Sequence, residues 1–185
     1  MSGGLIGPVA VLDAMPQDMQ DKVRGYAEGL DLRFAASFSE EAFAEAVKGA
    51  AYIVPRGRGL PAEVLRGADS VRLVHQWGTG YDKIPLDVAR EMGVPVARSP
   101  GVNAPTIADL TIGMMIAALR RIPLHYNNTR ARKWIVPEIV PGARDLSSQK
   151  VGLIGFGAIG QLVAKRLTGF DCEVLYYRRS GPAEG

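Results

Sequence analysis

The clearest chemical signal in the sequence is Gly155-Phe156-Gly157-Ala158-Ile159-Gly160. It follows a buried strand, Val151 to Gly155, and leads into a helix expected from Gln161 to Leu167. A second strand, Glu173 to Tyr177, comes after that helix. A bare G-x-G-x-x-G is weak evidence, but the strand–turn–helix–strand context is where such a turn cradles the pyrophosphate of a dinucleotide. Gly155 makes the tight turn, Gly157 admits the phosphates to the backbone, and Gly160 lets helix and strand pack closely. Around Ala158 and Ile159 the helix start offers N–H groups and a positive dipole end. A glycine-rich turn without a ligand is the alternative. The second strand ends in Tyr177-Arg178-Arg179-Ser180, without the acid that usually bonds a ribose 2′-hydroxyl about 20 residues past the glycines. Two guanidiniums and a hydroxyl suit a 2′-phosphate, so NADP is expected over NAD. A solvated strand end is the other reading of the same residues.

Other reactive residues are few. His75, on the strand before the Gly78 turn, reads as a packed, hydrogen-bonded histidine, with an approach to a cleft as the alternative, and His125 as a surface or interface residue; neither is assigned a catalytic role. Cys172 is the only cysteine, which excludes an internal disulfide and fits a cytoplasmic setting. No metal site is expected. A net charge of +3 over 185 residues is too small to imply nucleic acid, and Lys and Arg are scattered apart from Arg130, Arg132 and Lys133. Trp134 beside that cluster reads better as an anchor at a protein contact. The longest apolar stretch, Leu110 to Leu119, is broken by Thr111 and Gly113 and is too short to span a bilayer. The N-terminus has neither a basic flank nor a long apolar core, so no secretory signal is expected.

The first hundred residues alternate strands and helices. Strands are expected at Pro8–Ala14, Leu32–Ala36, Ala51–Val54, Val71–Trp77 and Val94–Ala97. Helices are expected at 17–28, from Ser39 to Lys48, at 61–66 and at 85–92. Strands apolar on both faces, separated by helices, indicate an α/β fold with a covered parallel sheet. Ser99-Pro100-Gly101 is the expected hinge between domains 1–99 and 100–185. Beyond it, Thr106 and Asp109 predict a capping box. The body of that helix, Leu110–Leu119, is apolar nearly all round, which predicts burial between layers. Residues 122–148 hold Pro123, Pro137 and Pro141 and lose periodicity, which predicts an extended arm or long connection.

Four stretches together resemble the D-isomer-specific 2-hydroxyacid dehydrogenases, a family that includes phosphoglycerate dehydrogenase and glyoxylate/hydroxypyruvate reductases. They are Gly78-Thr79-Gly80-Tyr81-Asp82-Lys83-Ile84, Gly93-Val94-Pro95-Val96 leading to Ser99-Pro100-Gly101-Val102-Asn103, the helix from Thr106 to Arg120, and Lys150 to Gly157. Asp109 departs from the family's more usual Glu. The resemblance implies a flavodoxin-like substrate domain followed by an incomplete Rossmann domain. It also implies hydride transfer between a nicotinamide cofactor and a 2-oxo/2-hydroxy acid held between domains. By the same resemblance, the turn Gly78, Thr79, Gly80 contacts the substrate carboxylate, as successive N–H groups in a tight turn can, and Thr79 also touches the cofactor. Arg56 and Gly57 match a second substrate loop, although the family's Arg-Ser pattern is shifted by one residue. Residues 122–148 match an arm that pairs subunits, so a homodimer is expected. The family's catalytic Arg, Glu and His lie beyond the second nucleotide-domain strand, so the 185 residues alone are expected to be inactive. A non-catalytic, dinucleotide-responsive corepressor is the alternative.

Overall fold

A computed structural model describes residues 7–182. It divides into two compact units, residues 1–100 and 101–185. In the first unit, strands β1 (Val9–Leu12), β2 (Leu32–Phe34), β3 (Tyr52–Pro55), β4 (Leu73–Gln76) and β5 (Val96–Arg98) form one sheet. All its pairs are parallel and its order is β2-β1-β3-β4-β5. This is the flavodoxin-like order, in which the direction of winding reverses between β1 and β3.

Alternation along β1 explains the layers. Ala10 and Leu12 enter one cluster with Ile53, Val74 and residues of α2 (Glu40–Val47), α3 (Ala62–Arg66) and α4 (Leu86–Glu91). Val9 and Val11 enter a second cluster, on the other face, with Val23 and Ala27 from and beside α1 (Gln17–Tyr26). Ser39 caps α2 as expected, its hydroxyl accepting from the Ala42 N–H at 3.2 Å. The ordinary carboxyl pKa of Glu41 is lowered, first by its own backbone N–H and then by Ser39.

The second unit contains α5 (Ala104–Leu119), α6 (Ile122–Arg130), α7 (Val136–Ile139), β6 (Lys150–Ile154), α8 (Ala158–Leu167) and β7 (Glu173–Tyr177). β6 and β7 pair in parallel, from Lys150 opposite Glu173 to Ile154 opposite Tyr177. Ala108 and Ile112 of α5 pack with Val163 and Leu167 of α8 and with Val151 of β6.

Three expectations fail between Ala104 and Ser148. The helix begins at Ala104 rather than Thr106, and its N-cap Asn103 makes no side-chain cap. Asp109 does not cap it but pairs with Arg166 of α8. Residues 122–148 are not extended, because Pro123 and Pro137 sit in the first turns of α6 and α7. Proline fits there, since the first N–H groups of a helix have no intrahelical partner. Nor is α5 covered all round, since Leu110 and Met114 are exposed.

Candidate functional site

The carboxyl ends of β1, β3 and β4 open into a cleft of about 740 Å³. In open α/β sheets, ligands bind outside the carboxyl ends of the strands, where the winding reverses. The cleft is lined by Asp13 after β1, Arg56, Gly57 and Arg58 after β3, and Gln76 to Gly80 at the end of β4, together with Lys83. All five expected substrate-loop residues, Arg56, Gly57, Gly78, Thr79 and Gly80, therefore line one shared space.

Backbone bonds fix the loops around it. The Gly59 N–H donates to the Arg56 carbonyl at 2.7 Å, closing the turn after β3, and Lys83 Nζ donates to the Gly57 carbonyl at 3.1 Å. Gly59 has φ +86°, and a Cβ there would collide with the Cβ and carbonyl of Lys83. The Gly78 N–H donates to the Gln76 carbonyl at 2.8 Å, and the Gly78 carbonyl accepts from Ser99. Gly78 thus shapes the turn, at φ +143°. Thr79 is held by its hydroxyl to the Ser99 carbonyl at 3.1 Å.

The cleft is rich in cations. Arg56, Arg58 and Lys83 line it together with Asp13 and Asp82. Arg56 Nη1 donates to Asp13 Oδ2 at 2.8 Å, and its guanidinium carbon lies 5.7 Å from the centre of the Trp77 ring. Gln76 Oε1 is buried with no hydrogen-bond partner. Sequence reasoning gave Asp13, Gln76 and Trp77 no role at a site. An acid directly after four apolar strand residues, Val9–Leu12, is the one signal that marks Asp13.

No histidine lines this cleft. His75 is exposed, not packed, and its Nε2 lies 3.0 Å from Ser99 Oγ. Strand alternation sends it away from Gln76 into an apolar groove with Val54 and Tyr26. Among the described residues no group of side chains could hold a metal ion.

In the second unit, Gly155 has φ +99°, which makes the turn after β6. Helix α8 begins at Ala158 instead of Gln161, with Gly157 as its N-cap. Ala158, Ile159 and Gly160 are therefore its first turn, where N–H groups lack intrahelical acceptors. A Cβ at Gly160 would strike the Gly155 carbonyl, and one at Gly157 would meet open space. The first packs helix against turn, and the second leaves room for a ligand against the backbone. No acid stands in this first turn. The Gly155 N–H donates to the Tyr177 carbonyl at 2.8 Å, which sets the end of β7 beside the glycine turn. Arg178 follows directly and donates from Nε to Ser180 Oγ at 2.8 Å. The donors and open backbone fit a dinucleotide phosphate chain, with Arg178, Arg179 and Ser180 at the adjoining strand end.

Comparison with known proteins points the same way. The family model for "D-isomer specific 2-hydroxyacid dehydrogenase, catalytic domain" matches residues 9–176. A 2-ketogluconate reductase from Gluconobacter oxydans is 36% identical over 121 residues, covering 65% of this chain and 39% of that protein. A D-3-phosphoglycerate dehydrogenase from Methanocaldococcus jannaschii is 28% identical over 166 residues, 89% of this chain and 31% of that one. The crystal structure of the TT0316 protein from Thermus thermophilus superposes with a TM-score of 0.78 at 31% identity, covering 96% of this chain and 58% of that chain. The chain spans about two fifths or less of the length of these curated relatives and of others like them.

Proposed function

Because this chain belongs to the D-isomer specific 2-hydroxyacid dehydrogenase family, we propose that it forms the substrate-loop and cofactor-turn part of an oxidoreductase acting on a 2-oxo/2-hydroxy acid with NADP(H). The observation that carries the reading is the convergence of Arg56, Gly57 and the Gly78–Gly80 turn on one cleft at the carboxyl ends of β1, β3 and β4. The Arg56 guanidinium and the Gly80 N–H are the donors assigned to the substrate carboxylate. A bound nicotinamide dinucleotide supplies or accepts the hydride. Residues 155–160 hold its pyrophosphate by backbone N–H groups at the start of α8, and Arg178, Arg179 and Ser180 hold its 2′-phosphate. Thr79 is assigned a contact with the cofactor as well as the substrate.

Reduction of a 2-oxo acid also requires a proton donor near the forming alkoxide, and general acid catalysis contributes ~10²–10⁴-fold. The cleft contains no imidazole. In this reading the 185 residues by themselves bind but do not turn over. The exposed Trp134 supports a homodimer contact in residues 122–148, and the lone Cys172 is in keeping with a cytoplasmic setting. Among the described residues no helix is long and apolar enough to cross a membrane.

The experiment is an absorbance assay of NADPH and NADH oxidation with glyoxylate, hydroxypyruvate and 2-ketogluconate. It compares the protein expressed from its complete reading frame with the 185-residue chain. The reading predicts turnover by the former, faster with NADPH, and none by the latter. Cofactor binding without turnover of any 2-oxo acid by the complete protein would move the account to a dinucleotide-responsive binding protein.

A further inference from the structure

Asp13 is the one charged side chain found buried among the described residues, and the function proposed above gives it no role. A buried carboxylate without a partner is strongly disfavoured, so its surroundings explain why it persists. Its partner, Arg56, lies 43 positions along the chain. Register explains the meeting. Leu12 of β1 pairs with Pro55 of β3, so the next residue on each strand, Asp13 and Arg56, leaves the sheet beside the other.

The guanidinium has a second restraint. Trp77 lies across it at 5.7 Å, and the Trp77 N–H donates to the Pro55 carbonyl at 2.9 Å, tying that residue's backbone to the end of β3. Arg56 is thus placed between a carboxylate and an aromatic face while its side chain stays 45% exposed. Asp13 engages one of the five N–H donors of the guanidinium. No other side-chain hydrogen bond of Arg56 is found among the described residues, so the remaining donors can still grip a carboxylate.

We infer that Asp13 is a positioning residue for substrate recognition: it fixes the Arg56 guanidinium against the Trp77 ring in the orientation that receives the substrate carboxylate. Arg has many rotamers, and holding one of them before the ligand arrives removes that ordering loss from the binding step. The negative charge of Asp13 is needed because charge-assisted bonds are roughly twice as strong as neutral ones. The inference rests on the assignment of Arg56 to the substrate. A pair that merely clips β1 to β3 has different consequences, and the two can be separated.

The test is steady-state kinetics with hydroxypyruvate and NADPH on the protein from its complete reading frame. The variants are Asp13→Asn, Arg56→Gln and the two combined. Asp13→Asn keeps the shape and removes the charge. It should raise the KM for the 2-oxo acid about five- to tenfold, as expected for weakening one charged hydrogen bond. The kcat and the KM for NADPH should stay within about twofold, because a binding interaction common to ground and transition states moves KM alone. In the Arg56→Gln background, Asp13→Asn should add nothing, since both changes remove one interaction. A lower melting temperature with an unchanged KM for Asp13→Asn makes the pair a clip and overturns the inference. An unchanged KM for Arg56→Gln instead overturns the assignment of Arg56 itself, and the inference with it. If Asp13→Asn does not fold, Asp13→Glu is measured, which keeps the charge and displaces the guanidinium by one methylene. A raised KM with kcat retained supports the positioning role, and an unchanged KM in the folded variant overturns it.

Discussion

Along β1 of the first unit every residue is buried, Val9 and Val11 on one side of the sheet and Ala10 and Leu12 on the other. Along β7 of the second unit, Leu175, Tyr176 and Tyr177 are exposed, and Ile154 at the end of β6 is 95% exposed. The first unit positions its cleft on a five-stranded scaffold covered by helices. The second unit holds its glycine turn through local interactions: the Gly155–Tyr177 backbone bond, the close approach of Gly160 to the Gly155 carbonyl, and the stack of Phe156 on Tyr176 at 4.0 Å. Within these residues the cleft of the first unit rests on the whole sheet, whereas the glycine turn is held by a few contacts that single substitutions reach.

The largest effect should come from the core of the first unit. Leu65 is fully buried, and Leu65→Ala should cost about 2–5 kcal/mol. In the 185-residue chain, Leu175→Ala in the exposed face of the second unit should stay within about 0.5 kcal/mol. The two tryptophans make this measurable by denaturant unfolding, because Trp77 lies in the first unit and Trp134 in the second. Equal losses in the two variants would erase the contrast.

Next comes charge at the end of β7. Arg178→Asp should reverse the cofactor preference, since a carboxylate repels a 2′-phosphate that a guanidinium grips. Hydrogen bonds to charged groups are worth about 1.5–3 kcal/mol, so the unmodified protein should favour NADPH roughly 10–100-fold in a fluorescence titration. Added salt should narrow that gap, because Arg179 and Ser180 are exposed. An unmodified protein that binds both cofactors equally leaves Arg178 as a solvated strand end.

Gly160→Ala should lower NADPH affinity at least about tenfold, equivalent to 1.4 kcal/mol, by forcing α8 away from the Gly155 carbonyl. Affinity for a 2-oxo acid should be unchanged, which separate titrations of the two ligands would reveal.

The smallest effect is at α2. Ser39→Ala should cost about 1 kcal/mol through loss of the N-cap. Glu41 adds a pH dependence, because its carboxyl pKa in the folded protein is depressed by its own N–H and by Ser39. Its contribution is present above the ordinary carboxylate pKa and is lost as pH falls through the lower folded value. Glu41→Gln should flatten that acid limb in melting curves taken between neutral and acidic pH.

The first unit was legible because β1 and β3 are apolar runs and its other strands keep apolar residues between helices and turns, and only the ends differ: Ala51–Val54 against Tyr52–Pro55, Val94–Ala97 against Val96–Arg98. The glycine turn was legible from spacing and context. Residues 122–148 were not, because Pro123 and Pro137 read as breakers while proline in a helix's first turn starts one. Asp109 resembled a cap because its partner, Arg166, lies on another helix and no local pattern discloses such a pair. Asp13 escaped for the same reason. Its meaning depends on the register of β1 against β3, which brings Arg56 to it.

The division of labour between the units is tested most directly by amide chemical-shift mapping of the complete protein, titrated separately with NADPH and with oxamate, an unreactive 2-oxo acid analogue. NADPH should move Gly155, Gly157, Ala158, Ile159, Gly160 and Arg178 to Ser180. Oxamate should move Arg56, Gly57 and Gly78 to Gly80. Oxamate shifts confined to residues 101–185, or an NADPH titration that leaves the amides of residues 155–160 in place, would contradict the account.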